Sequence, residues 1–290
     1  RVYYYAAGFH GHPYFLDTHL GFRYAAQKFD VDIKTVGPQG WDAVAQAEAL
    51  EQAIAKKPDG IVTIMWDASG KPAVKRAMEA GVPVIVVEAM VPDHGGMSFI
   101  GLDNYACGED TAKELIRLAG AKGRLVASGN WGASNTDAKF KGLTDYLKAN
   151  SEWELVAKID DKANTEAAIE AAKAMFNTYK DIDAVVGLDA SSGTGIGIAI
   201  EELNLDPSKY TIVVHDREDP VLEFIEQGVI DSTVINKTAL CAYMAIQLLE
   251  AYNDSRVGLA TVPIARDNKA VGVKPFPQFV YMGTEIITKD

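Results

Sequence analysis

Apolar residues along this chain gather into short unbroken blocks rather than alternating with polar ones. The blocks fall at Val2–Gly8, Val31–Val36, Gly60–Met65, Val82–Val87, Ser98–Leu102, Gly123–Ser128, Leu155–Ile159, Ala184–Leu188, Thr211–Val214, Ser232–Ile235 and Phe279–Thr288. Such runs predict strands covered on both faces, as in a parallel sheet. Most are separated by longer stretches with helical spacing. In Asp42–Lys57, the residues Ala43, Ala47, Leu50 and Ile54 share one stripe, and Tyr105–Ala119 and Asn164–Tyr179 behave alike. The breaks agree: Pro58 precedes Asp59–Gly60, Gly81 precedes Val82, and Gly228 ends a helical stretch before the next strand.

Strand and helix alternate to about Leu102, and then the alternation starts again. The expected fold is therefore α/β, with doubly wound parallel sheets in two lobes; 290 residues is long for one core and ample for two. A closed (β/α) barrel alternates in the same way. Against it stand the number of strand blocks and the helix-free loop Ala89–Met97 between two of them. The last ~50 residues read as irregular, with Pro263, Pro275 and Pro277 near a final strand, and are expected to tie the lobes together.

Two of the strand ends carry chemistry. Gly8–Ala26 (GFHGHPYFLDTHLGFRYAA) and Val82–Leu115 each read as a strand that stops in polar and aromatic residues before a helix begins. Ligands of open parallel sheets bind beyond the carboxyl ends of the strands. His10, His12, Tyr14, Phe15 and Glu88 are thereby placed where a small polar molecule would be held. The net charge of −12 argues against nucleic acid and against an anionic membrane surface. Runs such as VPVIVV are too short to span a bilayer. The chain enters a strand almost at once after Arg1, which reads as a mature or trimmed chain and leaves export open. Cys107 and Cys241 are expected to be free buried thiols.

At these residues the chain resembles the type I periplasmic solute-binding proteins of sugar ABC transporters, the ribose- and galactose-binding group. The HPYF entry to the first helix resembles that family's Asn-Pro-aromatic-aromatic. The stretches DGIVTIMWDASGKPAVKRAMEAGVPVIVVEA, GLDNYACGEDTAKEL, DAVVGLDASSGTGIGIAIE and IVVHDREDPVLEFIEQGVIDSTVINKTALCAYMAIQLL resemble its later motifs, in order and spacing, over nearly the whole chain. The resemblance implies two lobes joined by a three-strand hinge. Residues 1–103 with 237–279 would form the N-terminal lobe and 104–236 with 280–290 the C-terminal lobe, with crossings near Asp103, Asn236 and Val280. A ligand would be trapped between them by hinge closure, the motion described for periplasmic binding proteins. The resemblance further implies a non-enzymatic, cofactor-free monomer on the periplasmic or extracellular side of the membrane, with an ABC permease as partner.

Carried over residue by residue, the resemblance places His12 at the family's Asn, Tyr14 and Phe15 at its stacking aromatics, and Glu88 at the Asp after the fourth strand. Lys139 falls near the Arg of the sixth helix, Asp189 at the Asn of Asn-Asp, Asp216 at the Asp of Gly-x-Asp, and Asn236 at the Gln after the last C-lobe strand. Two positions depart from the family: Ala89 stands where relatives carry Arg, and Lys139 replaces a second Arg, losing the bidentate fork. Three carboxylates facing one cavity call for a ligand rich in donors. A neutral monosaccharide or polyol is the first expectation, and an amino sugar is the second.

Simpler roles compete at several positions. Trp66 and Trp131 follow strands and suit either ligand stacking or packing; Trp41 suits surface or core. His94 reads as solvated, Asp103 as a hinge hydrogen-bonding group and Asn104 as a helix cap. Asp42, Asp110 and Asp137 read as cap or first-turn acids. The enzyme alternative is a metal-dependent hydrolase using His10 and His12 with His215 and Asp216. Gly193–Gly197 (GTGIG) lacks the third glycine of a dinucleotide loop, since position 198 is Ile198. A ligand-sensing domain of a repressor or chemoreceptor would share the fold.

Overall fold

The computed structural model describes residues 1–8, 10–259 and 276–289, and Pro263 and Pro275 lie outside them. The chain divides into two units, Arg1–Leu102 with Lys237–Met282 and Asp103–Asn236 with Gly283–Asp290. It passes from one to the other three times.

The first unit contains β1 (Val2–Ala6), α1 (Phe15–Phe29), β2 (Asp32–Val36), α2 (Ala43–Ala55), β3 (Gly60–Thr63), α3 (Lys71–Glu79), β4 (Val84–Glu88) and β5 (Ser98–Gly101), with α9 (Thr238–Leu259) and β11 (Phe279–Tyr281) from the far end of the chain. Its sheet runs β11-β5-β4-β3-β1-β2, parallel throughout. The second unit contains α4 (Asn104–Ala119), β6 (Lys122–Gly129), α5 (Ser134–Asn150), β7 (Glu152–Asp160), α6 (Thr165–Thr178), β8 (Ala184–Gly187), α7 (Ala190–Glu202), β9 (Thr211–His215), α8 (Asp219–Gln227), β10 (Ser232–Ile235) and β12 (Glu285–Thr288). Its sheet runs β12-β10-β9-β8-β6-β7, and only β12 is antiparallel. Position for position the two orders are the same. The segments after β3 and β8 even share a local sequence: Asp67 accepts from the Ser69 N–H at 2.8 Å, and Asp189 from the Ser191 N–H at 3.0 Å.

The unbroken apolar blocks are the central strands, and β3, β4, β5, β8 and β10 are buried at every residue. Ile61, Val74, Val84, Val86 and Phe99 fill one core; Phe176, Val185, Ile200, Ile212 and Phe224 fill the other. Each such side chain contributes roughly 1.5–3 kcal/mol by leaving water. Side-chain caps start several helices: Asp42 accepts from the Ala45 N–H (2.9 Å), Asp103 from Ala106 (3.1 Å) and Asn164 from Ala167 (2.9 Å). Asp103, not Asn104, is thus the cap of α4.

Two open sheets replace the closed barrel. The expected final strand Phe279–Thr288 is two strands, β11 and β12, broken around Gly283, which sits at φ 67°. A left-handed turn there suits glycine, and it lets one tail supply an edge strand to each sheet. The third crossing falls at 282/283, close to the expected place near Val280. The tail expected to be irregular begins with the 22-residue helix α9. Gly193–Gly197 lies inside α7, where the glycines admit neighbours: a Cβ on Gly195 would meet the Ala168 backbone and one on Gly197 the Phe224 ring. His94 is buried, not solvated, and its Nδ1 accepts from the Gly96 N–H at 3.1 Å. Cys107 and Cys241 are both buried thiols. No helix among the described residues is long and apolar enough to cross a membrane.

Candidate functional site

In each sheet the strand order reverses at its first strand, β1 or β6. The crevice beside that reversal, at the carboxyl ends, is where such sheets bind ligands.

In the first unit the loop after β1 carries His12 and Tyr14, Phe15 opens α1, and the loop after β3 carries Trp66. Phe15 is wholly buried, edge-on to Tyr14 (5.0 Å between centroids) and to Trp66 (6.5 Å). Trp66 is itself buried and packs at 5.3 Å from the more exposed Trp41. Phe15 thus joins a ring cluster with Tyr14 and Trp66, and His10, His12 and Tyr14 in the loop before it are half-buried. Phe15→Leu is expected to cost about 1 kcal/mol, as a near volume-conserving core swap does; a melting curve checks it. The His12 Nδ1 accepts from the Tyr14 N–H at 3.2 Å, folding the loop onto the helix start. Glu88 ends β4 at φ 64°, is buried, and its Oε1 accepts from the Thr18 hydroxyl at 2.9 Å. Thr18, one turn after Tyr14 on α1, carried no signal in the sequence.

In the second unit three of the expected residues come together. Asp216 follows β9 at φ 71° and is buried; Lys139 on α5 is buried, its ammonium donating to the Leu188 carbonyl at 3.3 Å; Asp189 caps α7 and is half-buried. Burial, opposed by Lys139 and reinforced by the charge on Asp189, pushes the Asp216 carboxyl up to about 6. Trp131 follows β6. Its indole N–H donates to the Ile159 carbonyl at 2.8 Å, the Lys158 ammonium lies 3.8 Å from its ring centroid, and Phe140 packs edge-on at 5.2 Å. Asn236 follows β10 and is half-buried. Asp161, just after β7, went unnoticed in the sequence because Asp160-Asp161-Lys162 reads as an exposed turn. It has no solvent exposure, and burial followed by the charge on Asp189 pushes its carboxyl up to about 8.

Glu88 and Asp216 occupy equivalent places, each the acid at the carboxyl end of the fourth strand of its unit, each in the left-handed region. Non-glycine residues there cost of order 1–3 kcal/mol and concentrate at functional positions.

The arrangement does not support the hydrolase alternative. The His10 Nε2 lies 3.2 Å from the Gly37 carbonyl and the His12 Nδ1 is taken by Tyr14. His215 belongs to the second unit, buried, with its Nε2 at 2.9 Å from the Thr111 hydroxyl; burial and Lys139 hold it well below the usual imidazole range. Among the described residues no group of three or more His, Cys, Asp or Glu is placed to hold a metal ion.

Each of the two like sheets carries an acid in the left-handed region and polar or aromatic groups at the carboxyl ends of its strands, where open parallel sheets bind ligands. The chain matches the periplasmic binding protein domain over residues 3–255 and belongs to that family, whose members bind solutes and are not enzymes. It is similar to the D-allose-binding periplasmic protein of Escherichia coli, at 21% identity over 288 residues covering 96% of this chain and 88% of that protein. It is also similar to the xylose/arabinose-binding protein XylF of Sulfolobus acidocaldarius, at 24% identity over 66% of this chain; that match spans 50% of the relative's length. Among solved structures, an ABC transporter solute-binding protein of Burkholderia graminis in complex with D-arabinose shares the fold with a TM-score of 0.89 at 18% identity, covering 100% of this chain and 95% of that one.

Proposed function

We propose that this protein is the solute-binding component of a sugar ABC transporter. It captures a monosaccharide or polyol with the acids and rings at its two sheet rims and delivers it to a membrane permease, acting as a monomer on the periplasmic or extracellular side. The observation that carries this reading is the pair of left-handed acids, Glu88 and Asp216, at the same place in both units. Carboxylates accept from sugar hydroxyls, and tyrosine and tryptophan rings cover the C–H faces. A solute lacking one hydroxyl leaves a buried acceptor unpaired, which is how such a site discriminates. The names of the relatives, with allose, xylose and arabinose among their ligands, support the same class.

A second reading, an amino sugar, draws on the acid excess in the second unit. Asp189 pushes both Asp161 and Asp216 up, while Lys139 is the cation that offsets Asp216. An ammonium group on the ligand would relieve that repulsion.

A thermal-shift screen decides between them. The panel holds D-xylose, D-arabinose, D-allose, D-fucose, D-tagatose, xylitol and D-glucosamine at millimolar concentration. A ligand at a hundred times its Kd stabilises the folded form by about 2.7 kcal/mol, so the melting point is expected to rise by about 5 °C or more for at least one compound. A glucosamine response alone selects the second reading, and a flat panel overturns both.

A further inference from the structure

We propose that Asp161 is a positioning residue: a buried, proton-bearing carboxyl that staples the first turn of α7, and with it Asp189, to the end of β6. The inference rests on the reading of Asp189 as a solute contact at the rim of the second unit.

The staple is visible in the hydrogen bonds. The Asp161 N–H donates to the Gly129 carbonyl (3.3 Å), closing the β7 end onto β6, and the Asp161 carbonyl accepts from the Asn164 N–H (3.0 Å). Its Oδ1 accepts from the Ala163 N–H at 3.0 Å. Its Oδ2 lies 2.5 Å from the Ser192 Oγ, which in turn lies 3.0 Å from the Ser128 Oγ. All three side chains are buried. Ser192 sits in the turn of α7 that Asp189 caps, so tying Ser192 to β6 fixes the direction in which Asp189 leaves the helix.

Two proton arrangements satisfy this chain. Ser192 has one hydroxyl hydrogen and two oxygen neighbours, so it cannot donate to both. Either Ser128 donates to Ser192 and Ser192 to an ionised Asp161, or a protonated Asp161 Oδ2 donates to Ser192 and Ser192 to Ser128. The full burial of Asp161 and the charged groups bearing on it favour the second. α7 presents Asp189 and β7 presents Asp160, both negative, while β6 presents the neutral Ser128. Lys158 of β7 is engaged over the Trp131 ring, and Lys162 is solvent-exposed. A second buried anion beside Asp189 would be costly; neutral Asp161 leaves Asp189 as the charged acid at that rim.

The test needs no sugar, so its outcome is separable from that of the ligand screen. Melting curves of the solute-free protein are recorded from about pH 5 to pH 9 for the wild type and for Asp161→Asn, each alone and combined with Asp189→Asn. An acid with a raised folded-state value stabilises fully below the ordinary aspartate range, and its contribution is lost as pH climbs toward about 8. An asparagine in its place would keep the shape and donate to Ser192 without titrating. The Asp161→Asn melting point is therefore expected to gain on the wild type by about 5 °C between the acidic and alkaline ends. With Asp189→Asn in both proteins the gain is expected to shrink but to persist, because one charge that raises Asp161 is gone while burial, the larger cause, remains. A residue that merely packs would give a constant offset, and a constant offset overturns the proposal. If Asp161→Asn does not fold, a carbon-13 carboxyl titration of the wild type decides: a buried midpoint near 8 supports the proposal, and midpoints that all lie in the ordinary carboxylate range overturn it.

Discussion

Replacing Asp216 by asparagine is expected to weaken solute binding at least a hundredfold, about 3 kcal/mol, while the protein stays folded. Asparagine is the informative choice because the residue sits at φ 71°. Asn tolerates the left-handed region nearly as well as Asp, whereas Ala would add backbone strain to the loss of the carboxylate. What the substitution removes is a buried anionic acceptor beside Lys139 and Asp189. Hydrogen bonds to charged groups contribute about 1.5–3 kcal/mol each, and a carboxylate can take two from a sugar. Titration of the same carboxylate gives binding a pH dependence. Asp216 takes up a proton near pH 6, so wild-type affinity is expected to fall as pH drops below that value, by up to tenfold per unit, and to level off above it. The variant should show no such limb. Isothermal titration with the sugar found by the screen, on both proteins across pH, measures this. Affinity within threefold of wild type for Asp216→Asn would place the solute elsewhere.

Gly108→Ala is expected to be the most damaging single methyl in the second unit. An added Cβ at Gly108 would lie 1.9 Å from the Lys139 carbonyl oxygen, and one at Gly142 would lie 2.0 Å from the Tyr105 carbonyl oxygen. α4 and α5 thus cross with backbone against backbone at two reciprocal points. Backbone cannot swing aside as a flexible side chain does, so the helices must part. Overpacking costs about 1–3 kcal/mol, and this contact lies at the upper end. A fall in melting point of about 10 °C is expected. Because the displaced strip includes Lys139, solute affinity should fall as well. Gly21→Ala, which meets the Ala239 carbonyl oxygen at 2.1 Å between α1 and α9, is the matching change in the first unit. A Gly108→Ala protein that melts within about 2 °C of wild type would show that this crossing relaxes freely.

Much of the architecture was legible because buried parallel strands leave an unmistakable trace. β4 reads VIVVE and β10 STVI, and nearly every block found in the sequence became a strand within a residue or two of its expected ends. Helix starts were legible where a side chain does local work, as at Asp42 and Asn164. The split of Phe279–Thr288 was not, since a three-residue and a four-residue strand separated by a turn look like one run until each finds its own sheet. At the site, Glu88 could be placed by where its strand ends, and Asp189 and Asp216 by the resemblance to the sugar-binding family. Thr18, Asp161 and Ser192 could not, because their importance comes from partners on other elements.

Alone, the order of apolar blocks and breakers determined that this chain builds two doubly wound sheets, and the residues at strand ends determined which side chains meet a ligand's side of each sheet. Both follow from local physics: periodicity, capping and the direction a strand points. Only the tertiary structure decided that Phe15 packs edge-on to both Tyr14 and Trp66, that Trp131 spends its indole N–H on Ile159, and that Asp161 is buried against Ser192. Burial and proton sharing depend on what packs across from a residue, and that neighbour is set by the folding of distant segments.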